Sequence, residues 1–123
     1  MALHNELGRW GEDLAVRMLE AKGYRIIERD WKDCHRDIDI IAIDNGCLVF
    51  IEVKTRRSGT LLTPEQAVDR RKIKNITIAA NRYVKSQIID LPLRFDIVAI
   101  TGTDESTCKI EHIEDAFMPY YFR

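Results

Sequence analysis

The spacing of apolar residues changes along this chain between a helical period and an alternating one. A helical stripe comes first, formed by Leu3, Leu7, Gly11, Leu14 and Met18. It predicts a helix over about Asn5 to Ala21, with Gly23 as the residue that ends it. A second helical stripe lies in the middle of the chain, at Ile73, Ile76, Ala80, Tyr83 and Val84. The stripes predict two helices, each with one buried face.

Apolar segments suited to strands surround the second helix and predict five strands. Their approximate ranges are Tyr24–Trp31, Arg36–Ile43, Cys47–Thr55, Arg94–Thr101 and Cys108–Ile113. The second helix is expected to run from about Thr63 to Ile88. Thr63, Pro64 and Gln66 form a capping-box pattern at its start, in which Gln66 supports the first turn. The element order is therefore α-β-β-β-α-β-β.

This order predicts an α/β fold with one mixed five-stranded sheet flanked by helices. The second and third strands form a central antiparallel hairpin. The crossover through the second helix is long enough to bring the fourth strand back parallel to the third. A chain of 123 residues fits one domain, here residues 1–123.

The hairpin turn fixes which residues of the second and third strands face each other. Asn45-Gly46 between two apolar runs is typical of a two-residue type I′ turn. In that register Asp39 lies opposite Glu52, with Cβ atoms about 4.5–5.5 Å apart. Two like charges at that distance destabilise the hairpin, and a Mg²⁺ or Mn²⁺ ion would remove the cost. The pair is therefore a candidate metal site.

The same register places Asp37 opposite Lys54 and puts both on the face that carries Asp39 and Glu52. Ile38 and Ile40 are expected on the other face. A simpler alternative is a cross-strand ion pair beside two solvated carboxylates, worth about 0–1 kcal/mol and without function. The spacing alone leaves both interpretations open.

Charge is unevenly distributed, although the net charge is only −1. Between Lys54 and Lys74 seven basic residues stand against two acidic ones. The basic residues are Lys54, Arg56, Arg57, Arg70, Arg71, Lys72 and Lys74. Such a stripe next to an acidic pair suits a polyanion such as DNA held beside a metal. A solvated helix face explains the same charges equally well.

No apolar run is long enough to span a membrane, and the N-terminus lacks the apolar stretch of a signal peptide. We therefore expect a cytoplasmic protein without a membrane partner. The last residues, FMPYYF, are too aromatic for a free tail. They are expected to pack on the core or on a second subunit.

Asp39 followed by Glu52-Val53-Lys54 on the next strand resembles the PD-(D/E)XK nuclease superfamily. More closely, the chain resembles the YraN family of uncharacterised bacterial proteins, which is similar to archaeal Holliday junction resolvases. The resemblance runs through nearly the whole chain, from Gly11-Glu12 and Ala15 through Gly23-Tyr24, Arg29, Trp31, Ile38-Asp39, Ile41-Ala42, Phe50-Ile51-Glu52-Val53-Lys54-Thr55-Arg56, Ala67-Val68, Lys72 and Ala80 to Arg94-Phe95-Asp96.

The resemblance implies a restriction-endonuclease-like fold and a metal-dependent endonuclease. Asp39, Glu52 and the backbone carbonyl of Val53 would be metal ligands. Lys54 would position the attacking water, and Glu12 would be a further acidic group of the catalytic set. Resolvase-like chemistry also implies a homodimer acting on branched DNA, with little reading of sequence.

The chain departs from the family pattern at two places. Arg36-Asp37 stands where the family usually has Gly-Glu, which puts the reach of Asp37 towards Lys54 in doubt. Asp30 stands where the family tends to have Asn before the aromatic residue. The set of Asp39, Glu52 and Lys54 is complete.

Two functions remain open from the sequence. The first is a metal-dependent phosphodiesterase that cuts DNA by in-line attack of a metal-activated water. The second is a catalytically idle protein on the same fold that binds nucleic acid or docks a partner. The net charge of −1 favours the second slightly, because many nucleic-acid-binding proteins are basic overall.

Overall fold

The computed structural model describes residues 2–58 and 68–118. Its elements are α1 (Ala2–Ala21), β1 (Arg25–Asp33), β2 (Arg36–Asp44), β3 (Cys47–Arg56), α2 (Arg70–Gln87), β4 (Leu93–Thr101) and β5 (Lys109–Ile113). The five strands and the end of α1 follow the predicted ranges to within about two residues. Gly23 has a φ of 97°, which few residues other than glycine adopt, and it ends the first helix as expected.

The strands form one sheet in the order β1-β2-β3-β4-β5. β3 and β4 are parallel, and the other three neighbouring pairs are antiparallel. The predicted mixed five-stranded sheet with a central antiparallel hairpin is therefore confirmed. α2 provides the crossover that a parallel pair requires.

One helix covers each face of the sheet. On the first face, α1 buries Leu14, Ala15 and Leu19 against β2, β3 and β4. On the second face, α2 buries Ile76, Ala79, Ala80 and Tyr83 against Ile38, Ile41, Leu48, Phe50 and Phe95. Both faces of β3 are covered in this way, which explains why its central residues are apolar without alternation.

The hairpin turn has the predicted conformation. Asn45 and Gly46 have φ values of 51° and 76°, as a type I′ turn requires. The strand pairing runs from Asp44↔Cys47 to Ile40↔Ile51, which is the predicted register.

The start of α2 differs from the prediction of one helix from Thr63. Asp69 is extended, with φ −91° and ψ −179°, and its carboxylate accepts a hydrogen bond from the Lys72 amide. The helix therefore begins after Asp69, whose carboxylate satisfies one of the free N–H groups of the first turn. The predicted cap and Gln66 lie outside the described residues.

α1 lies close against the sheet at Gly11. A Cβ atom at this position would collide with the side chain of Thr55 on β3. The absence of a side chain lets the helix lie against the strand and sets the position of Glu12, the next residue.

At the other end of the chain Phe117 packs on Phe95, with ring centroids 5.3 Å apart. The predicted packing of the aromatic C-terminus on the core is thus seen for Phe117, and residues 119–123 lie outside the described part. In the segments that the structure covers, no helix is long and apolar enough to cross a membrane.

Candidate active site

Asp39 and Glu52 lie where the pairing of β2 and β3 comes to an end. The last described pair is Ile40↔Ile51, and Asp39 and Glu52 are the next residues. The Asp39 carboxylate accepts a hydrogen bond of 2.8 Å from the Val53 backbone N–H. The Asp39 side chain thus takes the place of a β2 backbone carbonyl as the acceptor for Val53, and this hydrogen bond holds Asp39 against β3.

The two carboxyl groups strongly affect each other's ionisation. Burial, and then the charge of Asp39, raise the pKa of Glu52 to about 8. Burial also raises the pKa of Asp39, although the hydrogen bond from Val53 opposes this. The Glu52 side chain is 10% exposed. As the register predicted, two carboxylates here cannot both ionise without cost.

The predicted sharing of a face by Ile38 and Ile40 is wrong. Ile38 packs with the residues under α2, whereas Ile40 packs with those under α1. The strand alternation therefore breaks at Asp39, which lies between them.

The neighbouring strand is distorted at the same level. Arg29↔Ile40 and Trp31↔Ile38 are paired, and Asp30, which lies between Arg29 and Trp31, has a φ of 50°. Asp and Asn tolerate this left-handed conformation better than most residues. Either Asp or Asn can adopt the left-handed backbone seen at position 30, so the Asp that departs from the family pattern needs no change of geometry.

The predicted pairing of Asp37 with Lys54 is also not found. Asp37 lies opposite Lys32 on β1, with its Oδ2 atom 3.9 Å from the Lys32 Nζ atom. The Lys54 side chain is exposed and forms no ion pair with any residue that the structure describes. The register cannot be extended from Ile40 to Asp37, because the ladder between β2 and β3 stops at Ile40. Both side chains nevertheless line one cavity.

That cavity has a volume of about 900 Å³ and lies between the first half of α1, the start of β2 and the end of β3. Its charged lining residues are Arg9, Glu12, Asp13, Arg29, Asp30, Asp37, Asp39 and Lys54. Val53 and Thr55 also contribute to its wall. Three members of the predicted catalytic set, Glu12, Asp39 and Lys54, thus share one concave surface.

Glu12 reaches this cavity from α1. Its Oε1 atom lies 3.2 Å from an Arg29 guanidinium nitrogen, and Arg29 also contacts Asp13. Burial, and then the charge of Asp39, raise the pKa of Glu12, which identifies it as part of the same acidic group. Arg29 was not among the predicted site residues, because its contact depends on how α1 packs on β1.

The described side chains of the site do not form a ready-made metal-binding cluster. Among residues 2–58 and 68–118, no group of three or more His, Cys, Asp or Glu side chains is arranged to hold a metal ion. Oxygen ligands from the chain would be the carboxylates of Asp39 and Glu52, with the Val53 carbonyl as the third group implied by the resemblance.

Lys72 lies in the site rather than on a solvated helix face. Its Nζ atom is 3.4 Å from Glu52 Oε2, and its side chain is 39% exposed. Burial would lower the pKa of Lys72, but the nearby carboxylates of Glu52, Asp37 and Asp39 outweigh it and raise that pKa.

The other basic residues lie around the same end of the fold. Arg70, Arg71 and Lys74 are exposed on the first turns of α2, and Arg57 is exposed just after β3. Arg56 is half-buried at the end of β3, where its carbonyl accepts a hydrogen bond from the Gly102 N–H. Lys72 connects this basic region to Glu52.

A second charged network surrounds Asp96, which is 0% exposed. Its carboxylate accepts hydrogen bonds from Tyr24, Arg94 and His112, and from the backbone N–H of Asp115. Burial alone would raise the pKa of Asp96, but the bonds from His112 and Arg94 lower it to about 2. The network ties Tyr24, which lies between α1 and β1, to β4 and β5, and each of these contacts supports a structural role.

Comparison with known proteins identifies relatives over almost the full length. The model of the uncharacterised protein family UPF0102 matches residues 11–100. A UPF0102 protein of Bacteroides thetaiotaomicron is 46% identical over 122 residues, which are 99% of this chain and 100% of that protein. One from Flavobacterium psychrophilum is 47% identical over the same shares. One from Porphyromonas gingivalis is 46% identical over 95% of this chain and 87% of its own.

Proposed function

This chain belongs to the uncharacterised protein family UPF0102, and from that premise we propose that it is a metal-dependent endonuclease acting on DNA. The observation that carries the proposal is the partly buried pair of carboxyl groups at Asp39 and Glu52. Their mutual effect on ionisation is the property expected of a site that binds a cation. The helices on both faces of a mixed sheet are compatible with the restriction-endonuclease-like fold that we propose alongside it.

The donor groups at this site fit a hard divalent cation. Carboxylate and carbonyl oxygens are the ligands that Mg²⁺ and Mn²⁺ prefer. Mg²⁺ usually binds through one or two carboxylates and completes its shell with water and substrate phosphate oxygens. Asp39 and Val53 line the cavity and Glu52 lies between them and Lys72, so Asp39, Glu52 and the Val53 carbonyl would hold the ion.

The bound cation would lower the pKa of water and neutralise charge on the phosphate. Lys54 projects from β3 two residues after Glu52, so its ammonium group is available to orient the attacking water and to stabilise the phosphate oxygens. Glu12, with its raised pKa, can take up a proton at the opposite wall of the cavity. Val53 fixes Asp39 through its N–H group.

The basic residues around the site support DNA as the substrate. Arg57, Arg70, Arg71 and Lys74 are exposed, and such side chains bind phosphates without reading sequence. Arg56 and Lys72 are less exposed, and Lys72 lies 3.4 Å from Glu52. We propose that the protein selects DNA by structure, with four-way junctions as the class to test and a homodimer as the form that would cut both equivalent strands.

The alternative is a nucleic-acid-binding or partner-docking protein whose acidic pair is catalytically idle. One observation favours it: the described side chains include no group of three ligands for a metal. Under this alternative the repulsion between Asp39 and Glu52 would be offset only by the ammonium group of Lys72 and the backbone N–H of Val53.

The experiment is a nicking assay with Mn²⁺ or Mg²⁺ on supercoiled plasmid, single-stranded DNA and four-way junctions. We expect cleavage by the wild type, and a loss of at least about a hundredfold for Glu52→Gln and Lys54→Ala, in line with removal of a group that stabilises the transition state. Glu20→Gln and Lys85→Ala, which change exposed residues of the same types, are the matched controls and should cut normally.

Two results would go against the proposal. Cleavage that survives Glu52→Gln and Lys54→Ala would mean that this site is not the nuclease centre. Tight junction binding without cleavage under any of these conditions would favour the idle binding protein.

A further inference from the structure

The first turn of α2 directs one lysine, Lys72, onto the carboxyl pair. Asp69 caps this helix by accepting a 2.9 Å hydrogen bond from the Lys72 backbone N–H. The backbone of Lys72 is therefore fixed, and its side chain extends to within 3.4 Å of Glu52. Its neighbours Arg71 and Lys74 are exposed by comparison.

Lys72 supplies the positive charge that the pair needs when no metal is bound. Of the residues that the structure describes, it is the one side-chain cation within ion-pair distance of Glu52. The charges of Asp39 and Asp37 also act on it. Asp39 has the Val53 N–H as its hydrogen-bond donor, a neutral group that does not offset the charge of the carboxylate.

An ammonium group and a divalent ion cannot both occupy the immediate neighbourhood of these oxygens at low cost, because like charges repel strongly in a partly buried site. We propose that Lys72 is an exchangeable counter-ion: it lies against Glu52 and offsets the negative charge of the Asp39–Glu52 pair in the metal-free protein, and metal binding displaces it towards the DNA phosphates. This inference rests on the proposed metal site. It makes Lys72 a positioning residue that couples metal binding to phosphate binding.

The coupling has a direction that can be measured. Lys72 and the metal compete for the same carboxylate, so removing Lys72 should increase metal affinity. The same change should lower the stability of the metal-free protein, because the carboxyl pair loses its cation. A lysine that only binds DNA would change neither quantity.

The experiment measures Mn²⁺ affinity by isothermal titration calorimetry, without DNA, for the wild type, Lys72→Met and Lys85→Met. We expect Lys72→Met to bind Mn²⁺ about tenfold more tightly, within the usual range of coupling between two ligands. Lys85→Met removes the same charge from an exposed position at the far end of α2 and should bind like the wild type. Asp39→Asn should lose Mn²⁺ binding.

A second measurement uses the wild type and does not depend on how a variant folds. Lysine side chains labelled at Cε are followed by NMR during a Mg²⁺ titration, with Lys72→Arg used to assign the signal. We expect the Lys72 signal to move towards the position of an exposed lysine as Mg²⁺ binds.

The outcomes separate this inference from the metal site itself. Mn²⁺ binding that is unchanged or weaker in Lys72→Met, or a Lys72 signal that stays in place while Mg²⁺ binds, would overturn the exchange alone. A wild type that binds no Mn²⁺ would overturn the metal site and the exchange together.

Discussion

Replacing Glu52 by Gln should change how the stability of the metal-free protein depends on pH. Burial and the charge of Asp39 raise the pKa of Glu52 from 4.5 to about 8 in the folded state. The folded protein therefore holds a proton that the unfolded chain releases above about pH 4.5. Because this pKa is raised on folding, its contribution is fully favourable below pH 4.5 and is lost as the pH rises through 8.

The size of the effect follows from the shift. One pKa unit corresponds to about 1.4 kcal/mol, so a rise from 4.5 to about 8 corresponds to about 5 kcal/mol in the free energy of unfolding. A glutamine at position 52 resembles the protonated carboxyl and does not titrate. Glu52→Gln should therefore match the wild type near pH 5 and exceed it by up to about 5 kcal/mol near pH 9.

The assay is urea unfolding in the presence of a chelator at five pH values between 5 and 9. Glu20→Gln is the matched control, because Glu20 is an exposed carboxylate on α1, and its curve should follow the wild type. If the difference between Glu52→Gln and the wild type stays constant across this pH range, Glu52 is ionised throughout and the electrostatic account of the site is wrong.

Two further predictions concern what holds the site in place. Gly11→Ala would push α1 away from Thr55, so it should lower the free energy of unfolding in urea by about 1–3 kcal/mol and reduce nicking. Gly8→Ala is the control: a Cβ atom there has no atom within 4 Å, so this change should raise the free energy of unfolding by about 0.5–1 kcal/mol. Equal shifts for both would contradict the close approach of helix and strand. Asp96→Asn should cost about 3 kcal/mol near pH 7, because it removes the fully buried carboxylate that pairs with Arg94, although Arg94 keeps Asp44 at 3.0 Å. In the wild type this contribution should fall as the pH drops from 3.8 to about 2, and a flat stability curve there would contradict it.

The part of the site that could be predicted from the sequence is the part that local geometry determines. A two-residue turn at Asn45-Gly46 sets the register of both strands, so the neighbourhood of Asp39 and Glu52 followed from the turn alone. The crossover between β3 and β4 followed from the length of the segment that joins them. The prediction of the YraN family, which is the family UPF0102, followed from the ordered series of motifs and is confirmed.

The features that the sequence did not reveal depend on tertiary packing. Alternation fails at Asp39 because a side chain replaces the backbone ladder there and β1 is distorted at Asp30. The start of α2 was predicted from the capping box at Thr63, whereas the helix begins after Asp69, whose carboxylate caps it. The contact of Lys72 with Glu52 depends on how α2 docks, which a helical stripe does not specify.

The most direct test of the metal-dependent site is a crystal structure of the protein soaked in Mn²⁺, with data collected near the manganese absorption edge. We predict one anomalous peak bound by oxygens of both Asp39 and Glu52, at distances of about 2.1 Å, close to those of Mg²⁺. In the same map Lys72 should have moved away from Glu52. A saturating soak that leaves no peak between these two carboxylates, or a peak held by other residues, would contradict the proposed centre.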